Sequence, residues 1–205
     1  GVDIRGRSST LRVNYRTSHQ IRMQADRLLG PQVADVDGNI EDRLGTVSVF
    51  NGPDPIIQQF DTFEKEANAV SRWLKILIEE DYQPHEIGIF VRSEDEIDRA
   101  KSALDSSEIP YKILDEYIEV THGYASVSTM HFAKGLEFRA VVVMGCDDEV
   151  IPSQKRIENV SDNADLEEVY ETERHLLYVA CTRARDKLLL TSGEMPSEFL
   201  DDLSI

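Results

Sequence analysis

Three short segments carry polar side chains that packing alone does not explain, and the densest spans residues 128–138. Thr129, His131 and Lys134 lie where a predicted strand runs into a tight turn. Ligands of open α/β sheets bind at the carboxyl ends of strands, so these side chains are predicted to lie at a binding edge. Gly135 can adopt a positive φ, which allows the turn and a close backbone approach. A lone histidine is usually structural, but this density of polar groups at one strand end indicates a function.

The second segment is Asn14-Tyr15-Arg16-Thr17, between a strand-like stretch and the first predicted helix. Arg16 would lie near a helix N-terminus, where the helix dipole already attracts anions, so its guanidinium would complete a phosphate site. Tyr15 offers a flat face for a base or for a neighbouring side chain. Taken alone, however, the segment is better explained as a surface Tyr-Arg pair.

The third segment spans residues 173–185 and combines a predicted helix core with three arginines. Its core positions occur at helical spacing and are Leu176, Leu177, Val179 and Ala180. Arg183 falls near the end of this helix, just before a strand, and could reach into a cleft as an arginine finger that stabilises a phosphoryl-transfer transition state. Arg174 and Arg185 are interpreted as solvated or salt-bridged.

Alternating strands and helices must position these segments, and this alternation indicates a parallel sheet covered by helices, an α/β fold. Strands are predicted at 46–50, 87–91, 109–114, 127–130, 140–145 and 187–191, and helices at 18–29, 63–80, 93–104 and 164–184. Ser161 or Asp162 would cap the last helix. Residues 35–43 and 152–165 are predicted to form mobile loops.

Composition limits the possible functions. The net charge of −17 argues against a protein that wraps nucleic acid nonspecifically, because phosphate contacts need concentrated Lys and Arg. Ten carboxylates and two basic side chains occupy residues 147–173, which predicts a solvated acidic surface or, alternatively, a partner-binding patch. Cys146 and Cys181 are interpreted as buried, and the histidines show no metal-ligand spacing. No segment is long and apolar enough to span a membrane, so a cytoplasmic location is expected.

Taken together and in order, the three segments resemble conserved motifs of the UvrD/Rep-like superfamily 1 DNA helicases. Residues 11–29 resemble motif IV of that family, residues 128–138 motif V and residues 173–185 motif VI, and the stretch 87–114 is also similar. The resemblance implies that residues 1–205 form the second, RecA-like motor domain of such a helicase, with helices on both faces of its sheet.

The resemblance also implies a role for each matching residue. Tyr15 would stack near the adenine of ATP and Arg16 would contact the γ-phosphate, while Glu137 would lie near the ribose. Arg183 would be the arginine finger. Three further residues would contact single-stranded DNA: Thr129, His131 and Lys134. The implied partners are single-stranded DNA and the first motor domain of the same polypeptide, and that domain would hold the Mg²⁺ that accompanies ATP.

Two departures from the family pattern shape the expectations. The sequence contains no G-x-x-x-x-G-K-[ST] phosphate loop, so the chain alone is expected to be inactive as an ATPase. The large subdomain that family members usually carry before motif V is also expected to be absent, because only residues 115–125 separate the predicted strand 109–114 from the motif V strand.

Two other functions remain open. One is a noncatalytic, helicase-derived interaction domain; intact Tyr15, Arg16, Glu137 and Arg183 argue against such decay. The other is a self-sufficient NTPase that holds Mg²⁺ on the acids 147–149 after the apolar strand 140–145. Because no phosphate loop precedes them, these acids are instead expected to be solvated.

Overall fold

A computed structural model describes residues 12–14, 16–29, 32–34, 40–42, 46–114 and 119–204 of the chain. The strands are β1 (Arg12–Asn14), β2 (Gln32–Ala34), β3 (Ile40–Asp42), β4 (Thr46–Ser48), β5 (Ile56–Gln59), β6 (Ile87–Val91), β7 (Tyr111–Ile113), β8 (Ala125–Thr129), β9 (Phe138–Val143) and β10 (Ala184–Ser192). The helices are α1 (His19–Ala25), α2 (Phe63–Glu79), α3 (Ile97–Ser107), α4 (Gln154–Ile157), α5 (Asn163–Cys181) and α6 (Glu198–Leu203). None of the helices in this part of the chain is long and apolar enough to cross a membrane.

The main sheet has six strands in the order β5-β10-β9-β6-β8-β7, and every pairing in it is parallel. Strands β1 and β4 form a separate parallel pair, and β2 and β3 an antiparallel pair. All residues of β6 and β8 are buried, as expected for central strands covered on both faces.

Two hydrophobic clusters lie on opposite faces of the main sheet. One packs α2 and α3 against it, with residues such as Val70, Leu74 and Leu104. The other packs α1, α5 and α6, with residues such as Ile21 and Leu177. The predicted α/β fold with helices on both faces of a parallel sheet is therefore confirmed.

Local signals account for several helix starts. The Ser18 and Thr62 side chains each accept a backbone hydrogen bond at the start of α1 and α2. Asp162, one of the two candidates, caps α5 by accepting hydrogen bonds from two backbone N–H groups.

Other predictions need correction. Strand β5 and helix α6 were not predicted, and α5 ends at Cys181 because the chain turns into β10 at residue 184. The predicted mobile loop 152–165 contains the short helix α4 and the first turn of α5. In the other predicted loop, 40–42 form β3 and the remaining residues lie outside the described part of the chain.

Candidate nucleotide and nucleic acid site

Arg16, Glu137 and Arg183 come together from three distant segments at the edge of the sheet where β9 and β10 begin. The Arg16 Nε lies 3.7 Å from the Glu137 Oε2, and these side chains are 74% and 49% exposed. Arg183 is half-buried beside them: its Nε donates to the Val179 carbonyl at 3.0 Å and its Nη1 to the Leu136 carbonyl at 3.2 Å. The predicted Arg16 and Arg183 therefore share one surface.

Two hydrogen bonds to backbone carbonyls fix this arrangement. The Thr17 hydroxyl donates to the Thr182 carbonyl at 3.2 Å, and the Ser18 N–H donates to the Arg185 carbonyl at 3.0 Å. These bonds tie the segment that carries Arg16 to the end of α5 and the start of β10. Tyr15, predicted to face the adenine, lies outside the described residues.

The electrostatics of this cluster favour an anion. Burial lowers the pKa of Arg183 below its usual value and the charge of Arg16 lowers it further, whereas Tyr178 and Glu137 act in the opposite direction. Among the described residues, the guanidiniums of Arg16 and Arg183 thus repel each other close to the Glu137 carboxylate. An anionic ligand would relieve that repulsion and bond to both arginines.

Thr129 and His131 lie at the opposite edge of the sheet, where β8 ends. Thr129 is 7% exposed, and His131 and Lys134 are exposed. Thr129 contributes to a cleft of about 540 Å³ that is otherwise lined by Glu94, Ile97, Asp98, Ile113, Leu114 and Phe132. Because β8 and β9 run parallel, the segment 130–137 must return to the first edge, so Lys134 lies along this connection and not at the strand end.

The connection 130–137 joins the two edges across one face of the sheet. Met130, Ala133 and Leu136 are buried in the same cluster as Leu177 and Ala180 of α5. The connection is therefore packed against the helix that precedes Arg183.

The turn at Gly135 has the positive φ expected from the sequence, +87°, and an added Cβ would meet no atom within 4 Å. Backbone conformation is thus the reason for glycine at this position.

A buried ion cluster next to His131 was not predicted. Glu173 of α5 is fully buried and accepts two hydrogen bonds from Arg92, at 2.6 and 2.5 Å, and one from Arg156 at 3.0 Å. Partial burial lowers the pKa of His131, and the charges of Arg92 and Arg156 lower it further against the opposing charge of Glu173. The only sequence signal was an arginine directly after an apolar strand.

Asp147 is not solvated, contrary to expectation. It is buried, forms an ion pair with Arg99 and accepts a hydrogen bond from the Gly193 N–H, whereas Asp148 and Glu149 are exposed as predicted. An Asp147 carboxylate bonded to a guanidinium is poorly available to Mg²⁺, which weakens the self-sufficient NTPase hypothesis.

The two arginines predicted to be solvated or salt-bridged do form ion pairs. Arg174 pairs with Asp202, and Arg185 pairs with Asp186 at 2.7 Å. Cys146 and Cys181 are both buried, as predicted.

The chain belongs to a protein family that fits this fold and this arrangement of residues. The model of the UvrD-like helicase C-terminal domain matches residues 9–118 and 121–194, which is most of the chain. The chain is therefore the C-terminal domain of a UvrD-like helicase.

Individual relatives agree with this assignment. The chain is 38% identical over 88 residues to the ATP-dependent DNA helicase PcrA of Bacillus subtilis, an alignment that covers 42% of this chain and 11% of PcrA. It is 39% identical over 77 residues to the ATP-dependent DNA helicase Rep of Buchnera aphidicola, which covers 38% of this chain and 11% of Rep. The chain thus spans only about a tenth of the length of these curated relatives.

A solved structure has the same fold. The C-terminal domain of a possible DNA helicase from Lactobacillus plantarum superimposes with a TM-score of 0.63 over 93% of this chain and 94% of that domain, at 23% sequence identity.

Proposed function

We propose that this chain is the second motor domain of an ATP-driven translocase on single-stranded DNA. The observation that carries the proposal is the convergence of Arg16, Glu137 and Arg183 on one surface. Arg183 would be the arginine finger, Arg16 would contact the γ-phosphate, and Glu137 would lie near the ribose. Tyr15, beyond the described residues, would stack near the adenine.

The residues present suit one side of an ATP site. Among the described residues, the guanidiniums of Arg16 and Arg183 lie near each other, and guanidiniums suit the binding of phosphate oxygens. Within the described residues of this cluster only Glu137 is a carboxylate, so we assign Mg²⁺ and the phosphate loop to the first motor domain. When ATP is bound between the domains, Arg183 would stabilise the charge that develops on the transferred phosphoryl group.

Single-stranded DNA would bind at the opposite edge, where Thr129 and His131 lie, with Lys134 along the connection between the edges. The acidic character of the domain agrees with a narrow strip of DNA contacts. Because the connection 130–137 runs between the two edges, movement of this domain toward the first motor domain would displace both proposed sites together.

We also propose that residues 1–205 form one motor domain without a large inserted subdomain. In support, one family model matches both sides of the short stretch before β8. Alone, this chain would not hydrolyse ATP. The alternative, a noncatalytic interaction domain, would retain the fold without an ATP cycle.

The decisive measurement is DNA-stimulated ATP hydrolysis by a polypeptide that joins this chain to its first motor domain. We expect Arg183→Ala to lower the rate by about 10³- to 10⁵-fold, the range of an arginine finger. Arg185→Ala is the matched control, because Arg185 is paired with Asp186, and it should leave the rate nearly unchanged.

Three outcomes would argue against the proposal. A wild-type rate in Arg183→Ala would refute the finger assignment. No DNA-stimulated hydrolysis by the unaltered polypeptide would favour the noncatalytic domain. ATP hydrolysis by the isolated chain would support the alternative hypothesis of a self-sufficient NTPase.

A further inference from the structure

The fully buried carboxylate of Glu173 accepts hydrogen bonds from two guanidiniums, those of Arg92 and Arg156. These three side chains together carry an excess of positive charge. Arg92 donates one hydrogen bond to each carboxylate oxygen of Glu173, and its side chain is 6% exposed. Arg156 contributes one bond from Nη1, and 38% of its side chain remains exposed. One negative charge cannot balance two positive charges, so the surplus lies on the more exposed guanidinium, that of Arg156.

This surplus charge lies where the sheet is suited to bind a ligand. Arg92 follows β6, His131 follows β8 and Arg156 lies on α4 after β9, and these three strands are neighbours in the order β9-β6-β8. They are parallel, so their carboxyl ends meet at one edge, which is the usual ligand-binding edge of such sheets. An ion pair of 2.6 Å between Lys155 and Asp95 joins α4 to the segment after β6.

Acidic side chains line other parts of this edge. The Thr129 cleft is lined by the carboxylates of Glu94 and Asp98. Beyond β9, a second cleft is lined by five acids, Asp61, Asp147, Asp148, Glu149 and Glu194. Among the described residues at this edge, Arg156 offers an anion a partly exposed guanidinium between these two acidic regions.

We infer that Arg156, held by Glu173 next to His131, binds a backbone phosphate of single-stranded DNA. The inference rests on the proposed function, and it adds a second cationic residue to the predicted DNA contacts, which already include Lys134. Arg92 orients the Glu173 carboxylate, and this carboxylate in turn orients the Arg156 guanidinium. His131 contributes a hydrogen bond and no charge near pH 7, because its pKa lies below the usual value.

The test is the salt dependence of binding between this chain and a fluorescein-labelled oligothymidylate. Each phosphate neutralised on a single strand contributes about 0.7 to the slope of log K against log salt. Arg156→Ala should therefore lower the slope by about 0.7, so that its affinity deficit shrinks by about 2.6-fold between 50 and 200 mM salt. The deficit should be similar for oligonucleotides of other sequence, because phosphate contacts carry no sequence information.

Three variants separate this contact from general charge effects. Lys155→Ala removes the same charge one residue away, from a side chain already paired with Asp95, and should leave the slope unchanged. Arg156→Lys should retain the slope, since it keeps the charge. His131→Gln should weaken binding without changing the slope. The thermal unfolding midpoint of each variant is measured as well, to check that the domain remains folded.

The outcomes distinguish this inference from the proposed function. If the unaltered chain binds the oligonucleotide but Arg156→Ala and Lys155→Ala have equal slopes, the Arg156 site is refuted and the DNA-binding role stands. If the unaltered chain shows no salt-dependent binding, both the inference and the proposed DNA edge fail. The Arg183 measurement of ATP hydrolysis is independent of either result.

Discussion

Replacing Glu173 with glutamine should severely destabilise the domain, although Glu173 lies outside the proposed nucleotide site. The substitution keeps the size of the side chain but removes the one negative charge between two guanidiniums. Arg92 would then be a buried cation that has lost both of its charged hydrogen bonds. Arg156 would lose its bond as well, and the two cations would repel each other.

The magnitude follows from the burial of the cluster. Removing one partner of a buried ion pair costs about 3–5 kcal/mol, because the remaining charge is left uncompensated. The full range applies here, since Glu173 is 0% exposed and Arg92 is 5% exposed. For a domain of this size each kcal/mol lowers the melting temperature by about 2–4 °C, so a decrease of about 6–20 °C is expected.

The effect should also depend on pH. Burial tends to raise the pKa of Glu173, but the bonds and charges of Arg92 and Arg156 outweigh it, and the folded-state pKa lies below the usual value. The stabilisation is therefore present above the unfolded pKa, about 4.3, and is lost as the pH falls through the folded pKa. The difference in stability between the wild type and Glu173→Gln should be constant near neutral pH and narrow in acid.

Urea denaturation followed by circular dichroism measures this difference. Glu171→Gln is the control, because Glu171 is exposed on the same helix and its substitution should change stability by no more than about 0.5 kcal/mol. If Glu173→Gln is no more destabilising than Glu171→Gln, the ion cluster does not stabilise the fold and the reasoning is wrong.

Three further predictions concern other buried or strained positions. Asp147→Asn should cost about 1–3 kcal/mol, because it weakens the bonds to Arg99 and the Gly193 N–H, whereas exposed Asp148→Asn should be nearly neutral; equal urea midpoints would contradict the structural role of Asp147. Gly135→Ala should cost about 1–2 kcal/mol through its positive φ alone, and an unchanged melting temperature would refute this. Burial raises the pKa of Cys181 to about 12, so its thiol should react with Ellman's reagent only after unfolding, and rapid reaction of the native chain would contradict that burial.

The fold was most predictable from sequence where local patterns and tertiary structure agree. Strand β6 has the predicted bounds, because a continuous apolar run lies between Pro84 and Ser93, although α3 begins at Ile97 and not at the predicted residue 93. Strand β5 was missed because it has only two apolar residues before two glutamines, in a segment with two nearby prolines. Its pairing with β10, which lies more than 120 residues later in the chain, determines the strand.

The residues of the candidate site also differ in how well the sequence predicts them. Arg16 and Arg183 were predicted because each is part of a recognisable segment, and the structure places them on one surface. The Arg92–Glu173 pair joins residues 81 positions apart, and a single sequence does not reveal such pairing. A glutamate among charged helix residues has the pattern of a solvated face, so its burial becomes evident only from the packing of α5 on the sheet.

Helix α5 connects the unpredicted ion cluster around Glu173 to the proposed nucleotide site at Arg183. Ten residues separate Glu173 from Arg183, which corresponds to about 15 Å along a helix and agrees with their places at opposite edges of the sheet. The connection 130–137 also runs between these edges, and both segments contribute to one hydrophobic cluster. Moving either segment relative to the other would disrupt close-packed contacts. We therefore expect the proposed DNA and nucleotide sites to move together as one rigid body, with the motion of the motor occurring between domains.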